Sequence, residues 1–392
     1  MKEDQRANLR LTNRKLVLQQ LFNNAPTSRA EIAQRLGLNK STVSSLYNEL
    51  KAEGYIKKLG IGESTSNGGR RPHLIRLNRD YGFVASFEIG STHLRAMFNY
   101  LDGEIISFRE FEMKQRDVLT AMQQITAEID QMIKHNTTVH GLLAIGFSIH
   151  GIVSKNQVTD SPFLELSGID LKTYYEDKYG IPVVLGNEAN LSAVFERDFG
   201  ETTQFNNLIA ISIHRGIGAG IITNRRLYAG NEGLAGEIGR SLIVKDNGNL
   251  TKVENVCSEA AIFSRIQKVK HLQKIKMDQV AELYESNDNE TVKIINEMVE
   301  QLGKVTFNAI TSFGPQAVYF NAPIMEAIPE IYPGVKEWLA KVKIPSQVTI
   351  RLIQGSKMAS LLGASSAAIH TVLEMEAYDL TLKWPKEVKN LI

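Results

Sequence analysis

"NLIAISIHRGIGAGIITNRRLYAG" (residues 207–230) reads as an apolar strand, a Gly-rich turn, a second strand, a "TNRR" turn and a third short strand. An earlier stretch, "GFVASFEIGSTHLRAMFNYLDGEII" (residues 82–106), follows the same plan with an "LDGE" turn. Each is a β-meander whose first turn carries glycine, and each opens a run of alternating strands and helices. This loose internal repeat predicts an α/β body of two related lobes. We place them at 79–186 and 187–392, with the last helix free to return to the first lobe. Glycine turns of this kind can offer backbone N–H groups to phosphates. They can equally serve a tight meander that needs a positive φ.

The 392-residue chain is long enough for two or three domains, and 43% hydrophobic with 22% charged residues is ordinary for a globular protein. Its single cysteine, Cys257, excludes an internal disulfide framework and fits a reducing compartment. No apolar run approaches the roughly 20 residues that span a bilayer, and the polar start "MKEDQRANLRLTNRK" is not a signal peptide. A cytoplasmic protein without a membrane partner is expected. The net charge of +2 conceals an asymmetry: residues 1–80 hold 15 Lys+Arg against 7 Asp+Glu, and the remainder holds 30 against 36. A basic head on a mildly acidic body points to a polyanion as the head's partner.

The head, residues 1–78, has a matching pattern. Leu16, Val17, Leu21 and Phe22 give a helical period that closes at Pro26. In "TSRAEIAQRLGLNKSTVSSLYNELKAEGYI" (27–56), Thr27 or Ser28 can cap a helix that turns Ile32, Ala33 and Leu36 inward, and Glu31, three residues after Ser28, suits a capping box. Gly37 stops it, Asn39 starts the next, and Val43, Leu46 and Leu50 are that helix's core face. Two short helices across a tight glycine turn describe a helix-turn-helix. The second helix is expected to present Asn39, Lys40, Ser41, Thr42, Ser44, Ser45, Tyr47 and Asn48 to the major groove of double-stranded DNA. Two short strands, 55–59 and 73–77, flank a Gly/Ser-rich loop that reads as a wing. Its "GGRRP" end (68–72) would bring Arg70 and Arg71 to a minor groove.

Taken in order, "GGRRP", "FEIGST" (87–92), "IGFSIHGIV" (145–153), "GNEAN" (186–190) and "GIGAGII" with "LYAGNEGLAGEIG" (216–239) resemble the ROK family of repressors and sugar kinases. The likeness is to its repressor branch and covers nearly the whole chain. It implies an N-terminal winged helix-turn-helix domain on a two-lobed, actin-like (ribonuclease H-like) sugar-kinase body. Carried onto matching positions, it makes Asn187, Glu188, Glu237 and Glu259 sugar contacts. Arg240 stands where a sugar-contacting His normally lies, and His150 is a further candidate for the cleft. Carboxylates suit a polyol because each oxygen accepts from adjacent hydroxyls.

Several positions depart from the kinase pattern. Glu188 replaces the catalytic Asp, and a misplacement of about 1 Å can cost a reaction 10²-fold. Glu88 replaces Asp at the first phosphate turn. Asn321, Ala322 and Pro323 replace the glycine pair expected beside adenine. Arg240 and the lone Cys257 do not make the family's Cys₃His zinc site. We therefore expect no catalytic residue, metal or cofactor. The reading is a sugar-responsive transcriptional regulator, a repressor of carbohydrate-utilisation genes, with xylose or glucose as effector and a homodimeric or tetrameric assembly. Its rivals are a bifunctional ATP-dependent sugar kinase with a DNA-binding head, and a DNA-binding protein whose body is only a scaffold.

Overall fold

A computed structural model describes residues 2–62, 71–90, 92–113, 117–162, 164–199, 205–244, 248–344 and 347–383. Two compact units emerge. One comprises residues 1–147, 163–185 and 364–391, and the other 148–162 and 186–363.

The first unit begins with α1 (Lys2–Asn23), α2 (Arg29–Leu36) and α3 (Lys40–Ala52), followed by the paired strands β1 (Ile56–Ile61) and β2 (His73–Leu77). The α1 helix starts well before its apolar period. Its polar first half is held by Arg10 against Glu49 and Arg14 against Glu53, both on the α3 side. Ser28 and Glu31 form the expected reciprocal capping box, and Gly37 closes α2 at φ 63°. The strands β3 (Phe83–Ile89), β4 (His93–Tyr100) and β5 (Ile105–Glu112) form the first meander, and α4 (Val118–His135), β6 (Leu142–Ile149), β7 (Ile152–Ser154), β8 (Gln157–Asp160), α5 (Leu171–Tyr179) and β9 (Val183–Asn187) follow in the chain, β7 and β8 belonging to the second unit. Phe83, Phe87, Phe98, Phe147 and Tyr175 interlock beneath this sheet, with neighbouring centroids 5.4–6.1 Å apart. Offset or edge-on ring contacts of that spacing are favourable.

In the second unit α6 (Glu188–Asp198) leads into the meander β10 (Leu208–Ile213), β11 (Ile217–Thr223) and β12 (Arg226–Leu227). Next come β13 (Leu242–Val244), β14 (Leu250–Lys252), α7 (Glu254–Cys257), α8 (Glu259–Lys270), α9 (Met277–Glu285) and α10 (Asn289–Phe313). The chain ends with β15 (Ala317–Asn321), α11 (Pro323–Ala327), α12 (Ile331–Val342), β16 (Thr349–Leu352) and α13 (Ser356–Leu373). Ile294, Ile295, Met298, Leu302, Val305 and Ala309 are buried along one stripe of α10, the spacing an amphipathic helix needs against a core.

The internal repeat is visible in the sheets. One runs β5-β4-β3-β6-β9 and the other β12-β11-β10-β15-β16. In both, the meander occupies one side with its first strand central, and two later strands extend the other side. No helix among the described residues is long and apolar enough to cross a membrane.

Candidate functional site

On the head, α3 leaves Lys40, Ser41, Ser45 and Asn48 exposed, with Asn39 exposed just before it and Thr42 and Ser44 half-buried. Tyr47 is a correction to the exposed set. It is buried at 8% exposure, with the Arg29 guanidinium 4.9 Å above its ring. Lying one residue beyond Leu46, it falls on the edge of the core stripe and serves packing. Ser45 accepts a hydrogen bond from Arg10 at 3.3 Å. Arg10 therefore stands beside the exposed residues of α3, which sequence reasoning missed; its four-residue spacing from Arg6 and Arg14 was the available signal. Arg71 is exposed at the base of the wing, whereas Arg70 lies outside the described residues.

At the first glycine turn, Glu88 is buried and committed. Arg95, its register partner on β4, donates to it at 3.0 Å, and His93 lies at 3.3 Å.

The proposed sugar contacts all fall in the second unit. Asn187 ends β9 and caps α6, its Oδ1 accepting from Ala189 N–H (2.9 Å) and Asn190 N–H (3.2 Å). Its amide nitrogen donates to the Gly151 carbonyl. Asn187 thus aims the first turn of α6, where Glu188 is buried. One oxygen of Glu188, Oε1, accepts from Ser192 Oγ (3.0 Å), Ser212 Oγ (3.0 Å) and Asn321 Nδ2 (2.8 Å), with His214 Nε2 at 3.4 Å. His150 packs edge-on to His214 at 5.9 Å between centroids.

Glu237 and Arg240 are placed by glycines. Gly236 (φ 86°) and Gly239 press their backbone onto β11, where a Cβ would stand 1.8 Å from the Ala219 carbonyl oxygen and 2.3 Å from that of Ile217. Side chains at either position are thus excluded. The Arg240 guanidinium bridges Glu237 (2.8 Å) and Asp160 (2.7 Å). Asp160 arrives on the β7–β8 hairpin, whose Val153 carbonyl lies tight against Gly233. Burial raises the Glu237 carboxyl above its ordinary range, with Arg240 opposing and Glu254 and Asp160 adding to the rise. Glu259 is raised by burial too, offset in part by His214 and by the Ile324 N–H that its Oε1 accepts at 3.0 Å.

The glycines of "HRGIGAG" have a reason other than backbone torsion, because Gly216, Gly218 and Gly220 all lack a positive φ. A Cβ on Gly220 would lie 2.2 Å from the Ala189 carbonyl oxygen, so these glycines let β11 press against α6. The Glu254 carboxylate lies 3.2 Å from where a Gly216 Cβ would stand. An anion at that turn opposes a bound phosphate. Cys257 is packed in the core, its thiol pushed up to about 12 by burial. Among the described residues no three His, Cys, Asp or Glu side chains are grouped as a metal ion would require.

Glu188, Glu259 and His214 are one charged group and Glu237, Arg240 and Asp160 another. His214 and Asp160 are partners that the resemblance did not supply.

A model of the ROK family matches residues 84–371, and one of winged helix-turn-helix DNA-binding domains matches residues 10–57. The xylose repressor of Lactiplantibacillus pentosus is 39% identical over 379 residues, covering 96% of this chain and 97% of the relative. Among solved structures, a ROK family transcriptional regulator described as a homologue of the Escherichia coli MLC protein superposes with a TM-score of 0.78 at 22% identity, covering 94% of this chain and 98% of its own. A ROK family glucokinase from Streptomyces griseus, solved with glucose and AMPPNP, gives 0.63 at 21% identity over 73% of this chain and 99% of its own.

Proposed function

The chain belongs to the ROK family, and from that premise we propose that it is a DNA-binding repressor whose effector is a neutral pentose, xylose. Its head resembles winged helix-turn-helix DNA-binding domains, and its relative from Lactiplantibacillus pentosus is a xylose repressor. The observation that carries the choice of sugar is Arg240. Its charge is already matched by Glu237 and Asp160, which leaves no unmatched cation for a sugar phosphate. A guanidinium in place of imidazole also takes more room, which favours a sugar without a sixth carbon.

The same reading holds that the chain is not a kinase. Oε1 of Glu188 already accepts from Ser192, Ser212 and Asn321, so that oxygen is committed to donors of the protein itself. Glu88 is paired with Arg95, and a carboxylate stands at the second glycine turn. Two heads in a homodimer would read two half-sites of a pseudo-palindromic operator. Xylose acts by its differential affinity for two states of the body.

The test is an anisotropy titration on DNA upstream of the protein's own gene at fixed salt, because such affinities depend steeply on salt. Xylose should change the affinity by about 10-fold or more, a coupling of about 1.4 kcal/mol. Glucose should act more weakly and phosphorylated sugars not at all. Tight DNA binding that no sugar alters would overturn the sensor, and xylose-dependent ADP release from ATP would restore the kinase.

A further inference from the structure

The turn Asn321–Ile324 enters the function proposed above only through one donor to Glu188, and in sequence it reads only as a blocked adenine side. Its contacts give it another purpose. Asn321 ends β15 and is the register partner of Ser212 on the parallel strand β10. Both side chains converge on Glu188 Oε1, at 2.8 and 3.0 Å. The same Asn321 amide donates to Ser192 Oγ at 2.9 Å, and Ser192 in turn donates to Glu188. Asn321, Ser192 and Ser212 are all 2% exposed or less. Three residues on from Asn321, the Ile324 N–H donates to Glu259. Pro323 opens α11 at a position where its missing N–H leaves no helical bond unmade. One short turn therefore grips two carboxylates that the chain carries on different helices, α6 and α8.

Buried carboxylates need such partners, since burying a charge without hydrogen bonds is costly. A bare donor set would satisfy them anywhere. This one also fixes direction, because Asn321 is held by strand register and Glu188 by the first turn of α6. The longer glutamate at 188 and the asparagine at 321 fit each other: the extra methylene carries the carboxylate to the amide. We infer that the Asn321–Ile324 turn is a positioning bracket for the sugar, with Asn321 acting through Glu188 to aim it at a ligand hydroxyl. The inference rests on the reading that Glu188 and Glu259 contact the effector.

The experiment is a double-mutant cycle on xylose affinity, measured by calorimetry on the full chain, with operator affinity in the absence of sugar as the control. Asn321→Ala should weaken xylose by about 10-fold, while sugar-free operator affinity stays within about twofold. Asn321→Asp keeps the shape, loses the donors and adds a like charge, so it should weaken xylose further. In a Glu188→Ala background, Asn321→Ala should add less than about twofold, because residues acting through one contact are not additive. Ser212→Ala is the milder probe if Asn321→Ala does not fold, and should lower xylose affinity in the same sense. Loss in Glu188→Ala with none in Asn321→Ala or Ser212→Ala would overturn the bracket. So would a full additive effect in the double mutant, which marks packing rather than positioning. No loss in Glu188→Ala would instead sink the sugar-site reading itself.

Discussion

Burial pushes the Glu259 carboxyl above its ordinary value of 4.5, and His214 and the Ile324 N–H offset this only in part. The sign for stability follows from linkage. A carboxyl raised in the fold is penalised when ionised, so the fold bears the cost above that raised value and is relieved as pH falls towards 4.5. A residue kept at such a cost needs a reason, and acceptance of a sugar hydroxyl supplies one. Glu259→Gln retains an oxygen for the Ile324 N–H and removes the charge. It should melt higher than the parent at pH 7.5, and the gain should fade as the pH approaches 4.5. Xylose affinity should fall by about 10-fold, since hydrogen bonds to charged groups are the stronger ones. Calorimetric melts across pH check the first part, and a variant that melts lower at every pH refutes it. The resemblance named Glu188, Glu237 and Glu259 from their motifs. It gave no partner role to His214, Asp160 or Asn321, because their contacts arise from strand register and a hairpin approach that no local spacing encodes. Tyr47 failed for the opposite reason: it sits between core Leu46 and polar Asn48, and only its burial in the fold shows that it joins the core stripe.

Among the elements, α6 and β11 depend most closely on each other. The helix carries Glu188 at its start and Ser192 one turn on, and Gly218 and Gly220 let the strand meet its backbone. A methyl group on Gly220 would stand 2.2 Å from the Ala189 carbonyl oxygen and 2.6 Å from the Ala193 Cβ. Neither neighbour is the flexible end of a long side chain, so the helix must shift. Gly220→Ala should cost roughly 1–3 kcal/mol of stability, the usual penalty of overpacking. It should also weaken xylose more than operator DNA, since the displaced helix carries Glu188, the proposed sugar contact. A urea melt paired with the two titrations decides this. Equal losses in both would mean a general loosening. At this scale much was legible. The meanders appeared as strand–turn–strand runs, and Ser28, Glu31 and Gly37 bounded α2 as their chemistry dictates. The polar half of α1 was not legible, because ion pairs to Glu49 and Glu53 replace the apolar period that marks a helix.

For the whole molecule, a sensor needs its effector's preference to reach the DNA-binding helices. The helix α13 runs without a break from Ser356 to Leu373. Its start is tied to α11, where the Ser356 N–H donates to Glu326, five residues beyond Asn321. Its far end is tied to α1. Lys15, at 5% exposure, donates to the Leu373 carbonyl (2.9 Å) and pairs with Glu374 (2.6 Å). Gln19 and Asn23 both donate to the Asp379 carbonyl, at 2.7 and 2.9 Å, and Asn23 accepts from the Thr381 N–H. Leu380 and Leu382 are buried. The chain after α13 therefore forms a strap along α1, which in turn pairs with α3 through Arg10 and Arg14. A continuous element fixed at both ends can carry a two-state preference, but only measured coupling establishes that it does. Lys15→Met keeps the apolar stem and removes the donor. It should leave xylose affinity within about twofold of the parent, yet shrink the xylose-induced change in operator affinity by about 10-fold, a loss of about 1.4 kcal/mol of coupling. Operator titrations with and without saturating xylose, beside direct xylose calorimetry, separate the two quantities. Coupling that persists at full strength in Lys15→Met would assign transmission to another route. Loss of xylose affinity itself would show that the strap supports the body and not the signal.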